Sequence, residues 1–304
     1  MNSSSLPVSR RRFLALSAGI IGSGALLSAC GGSSGDPQSD AGSTGGTDLA
    51  GLSIVQRFSN TGLAPGPLRL PVSLASQKGI LDNAATSAYA SLTAHVVDVM
   101  SGKTVVSGLQ AAKHGTGLAL PYWPFILALD TPGTYTLVID GASKDGAAFQ
   151  VLERKNVQMP VVGETLPSFD TPTVDDARGV DPICTLPAGT CPFHTQTLSA
   201  AMKKGTPVAY LIGTPAHCQT GTCSPALQAM IEVAKKVDGK AQFVHAEVYM
   251  DNAATKIAPA VEAYRLDFEP ILFVTDEKGV LRHRLDGVFD ADEIREVLAD
   301  VKVS

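Results

Sequence analysis

Two cysteine pairs are the residues of this chain best suited to chemistry. Cys218 and Cys223 flank Gln-Thr-Gly-Thr and follow the apolar run 208–212. Such a pair predicts either thiol–disulfide exchange, in which a thiolate attacks another disulfide, or an inert disulfide closing a short loop. We favour exchange, because the pair lies at the carboxyl end of a predicted parallel strand, where open α/β sheets place their ligand sites.

The spacing of this pair constrains the backbone between the two cysteines. A regular helix would separate their Cα atoms by about 7.5 Å along its axis, beyond the limit of about 7 Å for a disulfide. We therefore expect a non-helical turn, which Gly221 permits, and a helix that begins at Ser224.

A helix amino terminus favours a thiolate, since its first N–H groups lack partners within the helix. Cys223 is nearer the predicted helix start, whereas Cys218 is the cysteine we expect to be more exposed. His217 stands beside Cys218 as a candidate modulator of its pKa. The sequence leaves open which thiol benefits.

The second pair, Cys184 and Cys191, encloses the turn-forming run Thr-Leu-Pro-Ala-Gly-Thr. We expect a structural disulfide here, because closing so short a loop contributes about 2–2.5 kcal/mol. The alternative is a resolving pair that passes electrons to Cys218.

The spacing of the cysteines and histidines does not predict a metal-binding site. The C-x₆-C spacing of Cys184 and Cys191 lies outside the C-x₂₋₄-C spacing of zinc fingers, even with His194 and His217 nearby. As the distal ligand of a copper chaperone, His245 and His283 are poorly placed. We expect neither a metal nor a cofactor.

The elements around the first pair alternate. Apolar runs predict strands over 208–212, 243–248, 271–275 and 281–285, while helical periodicity marks 227–237, 257–264 and 290–301. Asp290 and Glu293 are spaced as a capping box. The order βαβαββα predicts parallel strands joined by helices, with an antiparallel hairpin at the sheet edge.

Three segments of this half carry a family resemblance: 162–169, 207–223 and 269–274. They resemble the thioredoxin superfamily, in particular its TlpA/ResA-like and peroxiredoxin branch. The family's usual C-x-x-C is C-x-x-x-x-C here. The resemblance implies a thioredoxin-like domain over 160–304, with Cys218 attacking and Cys223 resolving. It also implies a cis-Pro270 beside the pair and a Glu269 backbone that docks an extended peptide.

The preceding segment, 51–155, consists of short β-rich runs separated by Pro-Gly and Gly-rich turns, which predicts an antiparallel β-sandwich. The run 132–137 resembles a strand corner of immunoglobulin-like domains. We expect Trp123 to pack in the sandwich core or against the neighbouring domain rather than to form a binding patch, and we expect His95 and His114 to bind no ligand.

The amino terminus predicts export. Residues 10–12 are arginines, in a run that resembles the twin-arginine motif, and an apolar stretch follows to residue 29, so 1–29 is a predicted signal peptide. Leu-Ser-Ala-Cys30 resembles a bacterial lipobox, which implies that Cys30 is acylated and holds the chain on a membrane. The Gly- and Ser-rich run 30–50 is a predicted flexible tether.

The balance of charged residues excludes one class of partner, nucleic acid. Beyond residue 29 the chain has 21 basic and 29 acidic residues, which makes nucleic acid an unsuitable ligand. Hydrophobic residues make up 44% of the chain, enough for packed cores.

The sequence as a whole predicts a membrane-anchored thiol–disulfide oxidoreductase on the extracytoplasmic side of a bacterial cell envelope, at its periplasmic or extracellular face. It would act on thiols or disulfides of exported proteins, with a membrane redox partner. One alternative is a PrxQ-like thiol peroxidase, although Thr214 stands one residue too far from Cys218. The other is a binding lipoprotein on a redox-silent thioredoxin scaffold.

Overall fold

The structure is a computed structural model that describes residues 49–142, 146–237 and 239–303. Strands with alternating apolar residues form its two amino-terminal sheets. The first sheet pairs its strands antiparallel around β2: β1 (Ser53–Gln56), β2 (Gly66–Ser76), β3 (Gly79–Ile80) and β6 (Trp123–Leu129). The second has the antiparallel order β5 (Thr104–Ala112), β4 (Ser91–Asp98), β7 (Gly133–Ile139), β8 (Ala147–Val151). β3 and β8 are strands that the sequence did not predict.

These two sheets share one hydrophobic core and so form a sandwich. Leu70 and Leu74 of β2 meet Ala94 of β4 and Leu137 of β7 inside it. Trp123 is fully buried in the same core, as expected. The immunoglobulin-like class of the sandwich stays a prediction.

The carboxyl-terminal sheet has the strand order β10 (Gln242–Ala246), β9 (Val208–Ile212), β11 (Ile271–Thr275), β12 (Leu281–Asp286). β10 and β9 are parallel, and β11 is antiparallel to both β9 and β12. This agrees with the predicted parallel pair and edge hairpin, and it is the arrangement that the thioredoxin resemblance implies. The central strands are buried along their whole length.

Helices cover both faces of this sheet. α2 (Cys223–Val237) and α4 (Ala291–Asp300) share a core with Leu211 on one face. α1 (Leu198–Met202) and α3 (Pro259–Tyr264) share a core with Tyr210 on the other. α1 was not predicted, and short 3-10 turns occupy Arg154–Asn156 and Pro192–His194.

A buried polar network joins the sandwich to α4. Arg69 of β2 donates two hydrogen bonds to Glu293, and the Tyr122 hydroxyl donates a third at 2.6 Å. The predicted capping box is therefore only half formed. Asp290 accepts from the Glu293 N–H, but the Glu293 carboxylate is held by the sandwich, and the Asp290 N–H donates to Tyr122 instead.

The amino-terminal predictions, namely the signal peptide, Cys30 and the tether up to residue 48, lie outside the described residues. Leu49, near the end of the predicted tether, is buried in the sandwich core. All described residues belong to one compact unit, Gly46–Ser304. No helix among them is long and apolar enough to cross a bilayer. The domain boundary near 155–160 stays a prediction.

Candidate functional site

Cys218 and Cys223 form a disulfide at the carboxyl end of β9, with their Cα atoms 5.9 Å apart. The turn between them is non-helical, as the spacing requires, and Gly221 has the positive φ of 67° that this turn needs. α2 begins at Cys223, one residue before the predicted start.

The two sulphurs of this disulfide differ in accessibility. Cys218 is partly exposed, whereas Cys223 is only 1% exposed. The Cys223 N–H, at the start of α2, donates to Cys218 Sγ at 3.3 Å. The helix terminus thus supplies a hydrogen bond to the accessible sulphur, which favours a thiolate on Cys218 in the reduced protein.

The carboxylate of Glu269, a residue for which the sequence analysis gave only a backbone role, lies against the buried sulphur. Glu269 Oε2 is 3.4 Å from Cys223 Sγ, and the same oxygen accepts from the Thr214 N–H. Burial raises the pKa of Glu269 to about 7. The predicted role of Glu269 concerned its backbone alone, and the residue type was the only available sign of a second role.

Pro270 lies beside the disulfide, and the Glu269-Pro270 peptide bond is cis, as the resemblance implies. Gly213, the residue after β9, packs between them. A Cβ atom added there would lie 3.2 Å from Pro270 Cβ and 3.6 Å from Cys223 Cβ. An added Cβ atom would therefore be closer to Pro270 than ordinary van der Waals contact allows.

His217 does not hydrogen-bond to Cys218 within the described part of the chain. Its ring packs edge-on against Tyr249, with centroids 6.0 Å apart, and its Nε2 atom is buried without a partner. His217 therefore has a packing role beside the disulfide. It lines a groove of about 350 Å³ beside the disulfide, together with Thr220, Tyr249, Ile257, Phe268 and Glu269.

The second pair departs from its prediction. Cys184 and Cys191 are two separate, buried thiols rather than a disulfide. The Cys191 N–H donates to Cys184 Sγ at 3.5 Å, and Cys191 Sγ lies 3.6 Å from His245 Nδ1. The loop that carries the two cysteines is packed onto the sheet, and this places their sulphurs beside the ring nitrogens of two histidines.

Two histidines complete this second group. His194 Nε2 lies 3.0 Å from His245 Nδ1. One ligand atom from each of Cys184, Cys191, His194 and His245 lies within 4.8 Å of all the others, and every one of the four residues is buried. A histidine within an apolar strand, as in Phe-Val-His-Ala of β10, was the signal that could have identified His245.

Hydrogen bonds and burial shift the pKa values of these four side chains. The hydrogen bond between the two thiols lowers the pKa of Cys184 and raises that of Cys191, so the pair favours holding one proton. Burial lowers the pKa of His194. In His245, hydrogen bonding to Cys184 and the charge of Glu247 outweigh burial and raise the pKa.

The hydroxyl and guanidinium groups that a peroxidase would need beside its cysteine form hydrogen bonds with other residues. The Thr214 hydroxyl accepts from the Val248 N–H at 2.8 Å. Arg282 is paired with Asp276, and Arg284 binds Asp286 and the carbonyl oxygen of Gly62. Neither guanidinium is directed at Cys218 by these contacts.

No protein-family model matches the chain, and no curated protein matches it. Among solved structures, it is similar to a thiol:disulfide interchange protein, thioredoxin family protein, from Chlorobium tepidum TLS. That likeness has a TM-score of 0.34 and 16% sequence identity, and covers 47% of this chain and 98% of that one. It carries no argument about activity.

Proposed function

We propose that this protein is a thiol–disulfide oxidoreductase in which Cys218 attacks the substrate and Cys223 resolves the mixed disulfide. The observation that carries the proposal is the asymmetry of the pair. Cys218 is accessible and accepts a helix-terminal N–H, while Cys223 is buried against the Glu269 carboxylate. An accessible thiolate can reach a partner, and a buried thiol can react only with Cys218.

In the reducing direction, the Cys218 thiolate attacks one sulphur of a substrate disulfide. A bond forms between Cys218 and that sulphur, and the other substrate sulphur leaves as a thiolate that takes a proton. Cys223 then loses its proton, attacks Cys218 Sγ and releases the second substrate thiolate. Two electrons pass from the protein dithiol to the substrate, and an external dithiol must restore them. The oxidising direction is the reverse of these steps.

Glu269 is the group placed to take the Cys223 proton. Its oxygen lies 3.4 Å from the sulphur, and its pKa of about 7 lets it accept and return a proton near neutral pH. A buried thiol without such an acceptor resists ionisation, because its thiolate loses the solvation of water.

The partner we propose is an extended segment of an exported protein. The groove beside the disulfide has apolar and aromatic walls, including Ile257, Tyr249 and Phe268, which suit peptide side chains. The Glu269 backbone, next to Pro270, is the proposed docking edge.

We also propose that the protein acts outside the cytoplasm, anchored by an acylated Cys30. The lipobox-like Leu-Ser-Ala-Cys30 and the polar run after it support this placement. Cys30→Ser should release the protein from membranes in cell fractionation. Complete retention of that variant in the membrane fraction would contradict the lipid anchor.

A trapping experiment tests the exchange reaction. Cys223→Ser removes the resolving thiol but keeps the attacking one, so the variant should accumulate a mixed disulfide with a model peptide disulfide, detected by mass on non-reducing analysis. The matched control is the double variant Cys218→Ser/Cys223→Ser, which should trap nothing.

The same assay separates the two alternatives. Wild-type protein should reduce the peptide disulfide much faster than it consumes hydrogen peroxide. Rapid peroxide turnover that Cys218→Ser abolishes would instead assign a thiol peroxidase. A Cys218–Cys223 bond that excess dithiothreitol leaves intact in the folded protein would assign a redox-silent scaffold.

A further inference from the structure

The buried group of Cys184, Cys191, His194 and His245 lies outside the exchange reaction proposed above. These are two thiols and two imidazoles, drawn from the loop before α1 and from β10. From this geometry we infer that the four side chains bind a Zn²⁺ ion in a closed, structural site.

The distances fit such a centre. Bonds of about 2.0–2.3 Å to nitrogen and sulphur place the ligand atoms of a regular tetrahedron about 3.3–3.8 Å apart. Here Cys191 Sγ is 3.6 Å from His245 Nδ1, the two histidine nitrogens are 3.0 Å apart, and no pair of the four ligand atoms exceeds 4.8 Å. Displacements of at most about 1 Å in any separation therefore suffice to complete the tetrahedron.

The hydrogen bonds around the rings orient ligand atoms toward the sulphurs. His245 Nε2 lies 2.9 Å from the Gly213 carbonyl oxygen. A carbonyl only accepts, so Nε2 carries a proton and Nδ1 faces the group. A backbone carbonyl that fixes the outer N–H of a histidine in this way is the usual second shell of a metal ligand.

His194 faces the group through its Nε2 atom, which lies 3.0 Å from His245 Nδ1. The Nδ1 atom of His194 is buried and has no hydrogen-bond partner among the described residues. Binding of a metal to Nε2 would place the proton of the neutral ring on Nδ1, on an atom directed away from the metal, and the Pro172 backbone lies within reach of this ring. The metal would also replace the proton that the facing nitrogens of His194 and His245 must otherwise share.

The charge and the burial of the four ligands favour Zn²⁺ over Cu⁺. Two thiolates and Zn²⁺ sum to zero, which suits residues that are at most 8% exposed. A Cu⁺ ion would leave a net negative charge there, next to the buried Glu247 carboxylate that accepts from the Thr185 N–H. A tetrahedral set of two sulphurs and two nitrogens is also typical of zinc.

Local packing explains how His194 and His245, which are more than fifty residues apart in the chain, come into contact. Phe193 stacks on Phe243 with ring centroids 5.6 Å apart, which places the next residue, His194, over His245 on the same face of β10. The proposed metal would fasten the 184–194 loop to that strand. With four protein ligands it leaves no open position for catalysis.

The test is metal stoichiometry on the full chain, reduced and kept free of oxygen. After incubation with Zn²⁺ and desalting, elemental analysis should find one zinc per chain. Replacement by Co²⁺ should give thiolate-to-cobalt charge-transfer bands and the d–d absorption of a tetrahedral ion. Absence of retained zinc, or an octahedral cobalt spectrum, overturns the site.

Variants locate the metal. His245→Gln keeps a donor for the Gly213 carbonyl but is a poor zinc ligand, and it should weaken Zn²⁺ binding by at least about 10–100-fold while the circular dichroism of the fold is retained. Should this variant fail to fold, His194→Gln gives the same test. Cys218→Ser/Cys223→Ser is the matched control and should still bind one zinc.

Three results contradict the inference. Loss of zinc in the Cys218→Ser/Cys223→Ser control would move the metal to the other cysteine pair, whose group includes Glu269. Retention of Cu⁺ but not Zn²⁺ would refute the choice of ion. A Cys184–Cys191 disulfide in protein isolated without oxidant, with no metal present, would restore the structural disulfide predicted from the sequence.

Discussion

The two cysteine pairs of this protein use the same side chain in opposite environments. Cys218 and Cys223 are bonded to each other at a helix terminus, with one sulphur accessible and a carboxylate behind the other. Cys184 and Cys191 are free thiols, both buried, and they face two imidazoles. Neighbours and exposure, rather than the spacing along the chain, give the two pairs different chemistry.

The pairs are nevertheless close in the fold. Gly213 packs against Cys223, and its carbonyl oxygen accepts from His245. Thr185 links the loops, because its hydroxyl accepts from the Ala216 N–H while its own N–H donates to Glu247. The group with the histidines therefore supports the turn that carries Cys218, and changes at either pair can be compared directly.

The largest expected difference is in exchange activity. Cys218→Ser should abolish reduction of a peptide disulfide, because serine cannot attack sulphur under these conditions. Cys191→Ser, the same thiol-to-hydroxyl change in the buried pair, should lower the initial rate far less. Equal loss of rate in both variants would contradict this division of roles between the two pairs.

Thiol counting should divide the four cysteines into two classes. Unfolding without reductant, followed by alkylation and peptide mapping, should modify Cys184 and Cys191 but not Cys218 and Cys223. In the folded, unreduced protein all four should resist, since the free thiols are buried. Modification of neither pair after unfolding would show that both are disulfides.

The Glu269 carboxylate should give the exchange site a pH dependence of stability. Its pKa in the folded protein is about 7, above the ordinary 4.5, so ionisation is disfavoured by folding. The free energy of unfolding should therefore fall as pH rises from about 4.5 to about 7, and Glu269→Gln should not show this component.

This pH effect is best measured on the disulfide form by urea unfolding, because no thiol of the exchange pair then titrates. Glu247 and His245, which also act on Glu269, are unchanged in the variant and serve as the internal reference. Parallel stability profiles for wild type and Glu269→Gln would refute the raised pKa.

The smallest expected effect is at Gly213, between the two groups. Gly213→Ala adds a methyl group 3.2 Å from Pro270 Cβ and should cost about 1–3 kcal/mol of stability, as overpacking does. The same alanine should leave thiol counts unaltered. A cost below the error of chemical denaturation would show that the turn yields easily.

Part of the fold could be predicted because it depends on local periodicity. The buried runs of β9 and β11 and the amphipathic face of α2 follow from apolar spacing alone. β3 has two residues and α1 has five, and segments so short carry too few residues for a period. The half-formed capping box shows a tertiary partner, Arg69, overriding a local pattern at Glu293.

The sequence by itself determined the order of the carboxyl-terminal elements and the place of Cys218 and Cys223 at the turn from β9 to α2. It also determined that this turn must be non-helical, since backbone geometry near a disulfide is a local constraint. Only the tertiary structure decided which side chains meet these sulphurs. His245 reaches Cys191 because the 184–194 loop packs onto β10, and Glu269 reaches Cys223 because β9 and β11, distant in the chain, pair in one sheet. No spacing rule for neighbouring residues encodes either contact.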